Sequence, residues 1–574
     1  MKSLQHRRVL KTCKKVLLPI VLLVVLLSHS AIHKQWINTF KKRHDVQYQG
    51  GLIDDVRFIK CYRWYSHCDT IYDKQHSNGP LVQWKRVHKK MRDSNLYAID
   101  YGMLYSTYLY VHPAKKTTFG TTRAITDLAI AREKTVVPLH VLKDVNLQIR
   151  SSDNSVFHNH EYPQEFSWSI FGKGSPTLSV DDEDWEYKSD GIWCKYSLIQ
   201  EGSDDTALTN LQIYLGDDFI ESRPMWKEAI HGKSRGRLAA LSITSERSNK
   251  NELVDNVHIA NTLSLKSQGF KILQLSDLHY SSGMGVCNEP PCLADFQTRN
   301  FISTVIDREK PDLVVITGDI LDGMNTLDYE TALLKAVQPM VSSRTPYAIA
   351  FGLQDFSTQA TKRDILEFIG SLPFCMNSVN NDSNVINLNK HSFYTTNIAL
   401  PIHKGEEIAG MVYVLDSTDV ESQDSFLRNA HASALLSKHT KPMYSFAFQH
   451  LPTIEYRPTG LFAIIGSYNE KKQLSDVVPR TKLRDTLGEL KVQVLSCGYE
   501  HGNDCCLHST GPEYTGELWL CYGGVSGLSG YQIEGMSPNI RLFGIDDEKG
   551  EITSWKRSLA NPEEVYDYQY IYKP

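Results

Sequence analysis

The feature that most constrains this chain is the alternation of strand and helix signals between Lys271 and Phe351. Lys271 to Ser276 (KILQLS) is a short apolar strand. Phe301, Ile302, Val305 and Ile306 mark one face of a helix, which must end before Pro311 because a residue preceding proline is driven out of helical backbone. Asp312 to Thr317 (DLVVIT) is a continuous apolar run, as expected of a strand covered on both faces. Leu333, Leu334 and Val337 mark a second helix, predicted to end near Pro339, and Tyr347 to Phe351 is a third strand. Strands joined through helices run parallel with right-handed crossovers, so the fold class is α/β. Ligands of such sheets bind outside the carboxyl ends of the strands, and that rule selects the residues to inspect.

Those ends hold Asp277-Leu278-His279 and Gly318-Asp319. A period of two sends Asp277 and His279 to one side, where a carboxylate and an imidazole can grip one cation. Gly318 lets the backbone turn tightly while Asp319 projects into the same crevice, and a carboxylate there can bridge two cations about 3.5–4 Å apart. Each motif alone is commonplace. Together, one helical crossover apart, they predict a metal site. His279 and the later His501 also fit hydrogen-bonded core histidines, and Asp355 fits a residue that holds a turn. Gly523, Gly524, Gly527 and Gly530 follow an apolar strand with no helix pattern after them, so they predict a turn-rich loop beside the site.

Asp277-x-His279, Gly318-Asp319, Phe351-Gly352-x-x-Asp355, His450-Leu451-Pro452 and Gly498-x-x-His501 stand in the order of the calcineurin-like metallophosphoesterases, and residues 268–574 resemble that family. Cys292-Leu293-Ala294-Asp295, Leu415-Asp416-Ser417 and Gly50-Gly51-Leu52-Ile53-Asp54-Asp55 are similar to a fungal, membrane-tethered subgroup related to the yeast dosage-dependent cell-cycle regulator phosphatase, as a divergent paralogue would be. The resemblance implies a sandwich of mixed sheets flanked by helices, with a site for Fe, Zn or Mn. Carried over residue by residue, a first metal would take Asp277, His279, Asp319 and His501. A second would share Asp319 and use an Asn, His450 and the first His of a GHxH motif.

Here the chain departs from the family. The Asn position is Leu353, the first His position is Tyr499, and the family's catalytic His is Gln354. One metal is therefore expected to be firmly held and the second is doubtful, with Asp319, His450 and Tyr499 left around it. Gln354 donates hydrogen bonds but cannot transfer a proton near neutral pH. Losing a general acid typically costs ~10²–10⁴ in rate, and losing a cation removes the clamp on the attacking and leaving oxygens. The reading that follows is a catalytically impaired pseudo-phosphatase that binds a membrane protein or a phosphorylated ligand. Its rival is an active metal-dependent phosphomonoester or phosphoprotein phosphatase, with His450 and Tyr499 contacting phosphate. A third class is a structural protein whose metal serves folding only.

The rest of the chain sets the context. Lys2, Arg7, Arg8, Lys11, Lys14 and Lys15 precede an apolar run from Val16 to Leu27 and the small residues Ser28 and Ser30. Residues 1–33 thus read as a signal anchor or a cleaved signal, with all that follows luminal or extracellular. The expected location is the secretory pathway, as a single-pass membrane protein, or secreted or vacuolar after cleavage. Residues 34–265 read as a mainly β region, with a helix start at Asp127 to Arg132, and the polar stretch Glu246 to Asn256 reads as a linker. His158 and His160 would share a strand face, but no further ligands accompany them, so a solvated loop is expected. A net charge of −4 gives no reason to expect a nucleic-acid surface. Cys61 and Cys68, Cys287 and Cys292, and Cys505, Cys506 and Cys521 lie close in sequence without zinc spacing, which predicts disulfides of open connectivity. Asn381-Asp382-Ser383 is an N-glycosylation sequon.

Overall fold

The protein is seen in a computed structural model that describes residues 51–62, 68–74, 81–114, 121–130, 185–188, 191–200, 207–229, 234–235, 240–247, 262–287, 292–377, 395–438, 443–457, 464–472, 482–512 and 514–573. The N-terminal signal segment, His158, His160 and the Asn381 sequon lie outside them. Among the described residues no helix is long and apolar enough to cross a membrane.

The alternating segment folds as its pattern demands. Strand β1 (Phe270–Leu275) pairs in parallel with β2 (Leu313–Thr317), and β2 with β3 (Tyr347–Ala350). Helix α1 (Ala294–Glu309) and helix α2 (Tyr329–Ser343) make the crossovers, followed by α3 (Lys362–Gly370). The strand Asn539–Asp546 adds to the free edge of β1 in the antiparallel sense, and two further strands complete a six-stranded mixed sheet. A second, seven-stranded sheet contains β4 (Tyr444–Phe448) and β5 (Val494–Cys497) as parallel neighbours. Its outer face is covered by α4 (Val420–Lys438) and α5 (Leu483–Glu489).

Period-two geometry explains why these strands carry apolar residues on both sides. Ile272 and Val315 of the first sheet meet Phe446, Val494 and Cys521 of the second in one buried cluster. The alternate residues Leu273, Val314 and Ile349 pack outward on Phe301, Ile302, Leu333 and Val337 of α1 and α2. On the other side Ala447 and Leu495 pack on Phe426, Leu427 and Leu487. The result is a helix–sheet–sheet–helix sandwich. Each fully buried Leu, Ile or Val here stabilises it by roughly 1.5–3 kcal/mol.

Among its described residues the N-terminal region is built mostly of strands, in sheets of five, three and four, over a core that includes Val56, Trp84, Leu109, Ile125, Ile213 and Ile243. The helix start expected at Asp127 is a correction: Thr121–Ile130 is a strand paired antiparallel with Ile192–Gln200. Its buried residues, among them Ala124, Ile125 and Leu128, pair with a strand far along the chain through a register shift between Ile125 and Asp127, and that pairing outweighs local preference. Helix α2 likewise does not end near Pro339. It continues to Ser343 and closes on Arg344 in left-handed backbone, because Met340 and Val341 remain buried beyond the proline. Glu246 and Arg247, taken as the start of a linker, end the strand Ala240–Arg247, and residues 248–261 lie outside the description. Disulfides join Cys61 to Cys68, Cys287 to Cys292 and Cys506 to Cys521.

Candidate metal centre

The carboxyl ends of β1, β2, β4 and β5 converge. Beyond β1 and β2 the two chains keep bonding: Asp277 N–H donates to Gly318 O (3.2 Å), His279 N–H to Asp319 O (2.9 Å) and Tyr280 N–H to Ile320 O (2.7 Å). Across the sandwich Gly498 N–H donates to His450 O (3.0 Å), which ties the ends of β5 and β4. The loop holding Gly523, Gly524 and Gly527 lies beside the site, where Ser526 N–H donates to Ser276 O (2.9 Å). Asp277, His279, Asp319 and Tyr499 all take left-handed backbone, with φ between 48° and 73°. Each such non-glycine residue costs of order 1–3 kcal/mol, a strain that gathers at functional sites. Gly318 carries φ 83°, and a Cβ there would lie 2.7 Å from the His450 ring.

Two groups of buried side chains bring ligand atoms within 4.8 Å of one another: Asp277, His279 and His501, and Asp277, Asp319 and His450. Asp277 is common to both, the place that the sequence reading gave to Asp319. Asp319 joins the second group alone: its Oδ1 lies 3.3 Å from His450 Nε2 and accepts the Gln354 N–H (2.8 Å). The second group therefore keeps three donors, although neither Leu353 nor Tyr499 belongs to it.

The donor set fits a cation. His450 Nδ1 donates to Thr317 O (2.9 Å) and His501 Nδ1 to Tyr531 O (2.8 Å), which leaves each Nε2 as the lone-pair nitrogen. His501 Nε2 then faces His279 Nε2 at 3.3 Å and Asp277 Oδ1 at 3.5 Å. His450 Nε2 and His279 Nδ1 are buried without a hydrogen-bond partner. Lone pairs aimed at carboxylate oxygens repel unless a proton or a cation lies between them. Burial would lower the His450 pKa, but the Asp319 and Asp277 carboxylates override it and push the group up to about 9. Burial acts to raise Asp277, yet the hydrogen bond and charge of His501, with His450 and His279, hold it below the usual carboxylate range. Asp319 is lowered too, against burial, mainly by His450. His279 is lowered, chiefly by burial. A divalent cation bound by these residues would act as a Lewis acid on a phosphoryl oxygen.

The departures from the family motif come from both sheets, Leu353 and Gln354 after β3 and Tyr499 after β5. Leu353 is 39% exposed and offers no donor atom. A Cβ on Gly352 would lie 2.2 Å from Asp319 Oδ1, so the loop presses its backbone, not a side chain, on the carboxylate. Asp355 holds this turn, as expected, accepting from Gly352 N–H (2.8 Å) and Leu321 N–H (2.9 Å). Burial, then the Asp319 charge, pushes Asp355 up to about 7. Tyr499 is half-buried, its ring edge-on to His450 at 5.5 Å, and its N–H donates to both oxygens of Asp277 (3.0 and 3.2 Å).

Two neighbours escaped the sequence reading. Tyr531 stacks on His501, with ring centroids 3.8 Å apart, and Lys472 lies over the rings of Tyr499 and Tyr531. Tyr531 follows directly on Gly530 of the glycine-rich loop, a position that could have flagged it. Lys472 carries no sequence signal at all.

Comparison with known proteins agrees with this geometry. The calcineurin-like phosphoesterase family model matches residues 270–498. The chain is 35% identical to Protein SIA1 of Kluyveromyces lactis over 99% of this chain and 98% of that one. It is 33% identical to Phosphatase DCR2 of Saccharomyces cerevisiae, over 52% of this chain and 55% of that one. A probable inactive purple acid phosphatase 28 of Arabidopsis thaliana is 25% identical, over 50% of this chain and 80% of its own.

Proposed function

The chain belongs to the calcineurin-like phosphoesterase family, and from that premise we propose that it is a pseudo-phosphatase, which binds a phosphorylated ligand without turning it over efficiently. The observation that carries this reading is the Gly352–Asp355 turn. Where the family would place an Asn ligand and a catalytic His, Leu353 has no donor atom and Gln354 caps Asp319 through its backbone. One transition metal of Fe, Zn or Mn type is held by Asp277, His279 and His501, with Asp319 beside them, and a second is held weakly. The name of the Arabidopsis relative, a probable inactive phosphatase, is in keeping with this.

The rival reading, an active phosphomonoester or phosphoprotein phosphatase, draws support from the Asp277, Asp319 and His450 group, which keeps three donors. Turnover of a phosphomonoester by the Mn-loaded full chain, beside Asp319→Asn, separates the two. Equal background in both is expected. Turnover that disappears in Asp319→Asn would sink the pseudo-phosphatase reading.

The same proposal sets the chain in the secretory pathway, tethered by residues 1–33, on the strength of the basic flank before the apolar run Val16–Leu27. The full chain should stay with membranes after alkaline carbonate extraction and lose mass on N-glycosidase treatment through Asn381. Release into the soluble fraction would overturn the tether.

A further inference from the structure

We propose that Lys472 is the cation that hydrogen-bonds the phosphate oxygens of a ligand at this centre, a role that rests on reading the centre as a phosphate-binding site. Its ammonium donates to Tyr499 O at 2.5 Å, while the N–H of that same Tyr499 donates to both oxygens of Asp277. A single residue's backbone thus separates the ammonium from the carboxylate shared by both ligand groups. Lys472 Nζ lies 4.1 Å from the centre of the Tyr499 ring and 4.7 Å from that of Tyr531. Those two rings in turn lie against His450 and His501, one histidine from each group. Through one ring each, the ammonium thus neighbours a histidine of both groups.

It also has bonding capacity to spare. An ammonium offers three N–H donors, and the Tyr499 carbonyl takes one. Glu470 Oε1 is 3.6 Å away, beyond hydrogen-bond reach, and that carboxylate already accepts from the Tyr531 hydroxyl (2.9 Å) and Gly502 N–H (2.8 Å). The base of the residue is fixed, because Lys472 N–H donates to Glu500 Oε1 at 2.7 Å and Arg457 holds Glu500 in turn. The side chain is 28% exposed, so a ligand can reach it. No described residue hydrogen-bonds the Tyr499 hydroxyl, which stands ready to donate beside it.

The charge logic agrees. A phosphate monoester carries about two negative charges near neutral pH. A centre in which Leu353, Gln354 and Tyr499 replace metal-binding and cationic groups must find positive charge elsewhere. Lysine is a flexible point charge suited to phosphate.

The test is calorimetric titration of inorganic phosphate into the Mn-loaded full chain, with Mn affinity measured separately. Lys472→Gln should weaken phosphate binding by about tenfold, the usual worth of one charge-assisted hydrogen bond. Lys472→Arg should retain most of it, and Mn affinity should be equal in all three proteins. Unchanged phosphate affinity in Lys472→Gln, with the parent binding, would overturn the role of Lys472 and leave the phosphate site standing. A parallel fall in Mn affinity would assign Lys472 to holding Tyr499 and likewise overturn it. No phosphate binding by the Mn-loaded parent would remove the phosphate-site reading and Lys472 with it.

Discussion

At the scale of single residues, the centre records a substitution on a preserved frame. The backbone around Asp319 keeps the tight approach that Gly318 and Gly352 permit, since a Cβ on either would meet the His450 ring or the Asp319 carboxylate. What changed is the side chain one step on. Leu353 is 39% exposed, so an Asn in its place loses little packing, less than about 1 kcal/mol. Leu353→Asn returns an amide oxygen to the position where the family places a ligand, beside a group that already holds Asp277, Asp319 and His450. Titration of the purified protein with Mn should then show a second site about tenfold tighter than in the parent. A second site of unchanged strength would mean that the Gln354-to-Asp319 hydrogen bond keeps position 353 out of reach. Asp277, His279 and Asp319 were legible in the sequence because strand-end motifs announce themselves through spacing, whereas His450 and His501 were legible only through the resemblance to the family. Lys472 and Tyr531 were not, since they reach the centre only through the packing of loops on one another.

At the scale of elements, the legible part was the part dictated by periodicity. β1, α1, β2, α2 and β3 follow from apolar runs and helical faces, and their parallel pairing follows from their order. The strand Asn539–Asp546 beside β1 comes from more than 260 residues downstream, and no local pattern reveals such a pairing. The same holds for Thr121–Ile130, whose partner strand Ile192–Gln200 decides its conformation. The junction between the N-terminal strands and α2 is equally silent in sequence. Lys89 is buried there between Asp328 (2.9 Å) and Glu330 (2.5 Å), the latter 241 residues away. Asp328 also caps α2 and accepts the Leu215 N–H at 2.8 Å. A buried ammonium with two carboxylate partners fixes orientation more than it adds stability, because desolvation offsets much of the attraction.

At the scale of the whole molecule, the centre lies where two sheets meet, and that gives a metal a mechanical consequence. Asp277, His279 and Asp319 come from the six-stranded sheet, while His450 and His501 come from the ends of β4 and β5 in the seven-stranded one. A cation held between them joins the two halves of the sandwich at their carboxyl ends. A cation in the second group would also relieve the opposition between His450 Nε2, buried without a hydrogen-bond partner, and the Asp319 carboxylate 3.3 Å away. A ligand that binds only the folded state stabilises it by RT ln(1 + [L]/Kd), about 2.7 kcal/mol when the metal is at a hundredfold its Kd. For a domain of about 300 residues that corresponds to a rise in Tm of roughly 4 °C, read by scanning calorimetry and reversed by a chelator. The variants then report which carboxylate joins the sheets. Asp277 belongs to both ligand groups, so Asp277→Asn should abolish the response to Mn almost entirely, whereas Asp319→Asn should leave a part of it through Asp277, His279 and His501. The opposite ranking would return the bridging place to Asp319, as the family motif implies, and would mean that the cation draws its carboxylate away from the Gln354 N–H on binding.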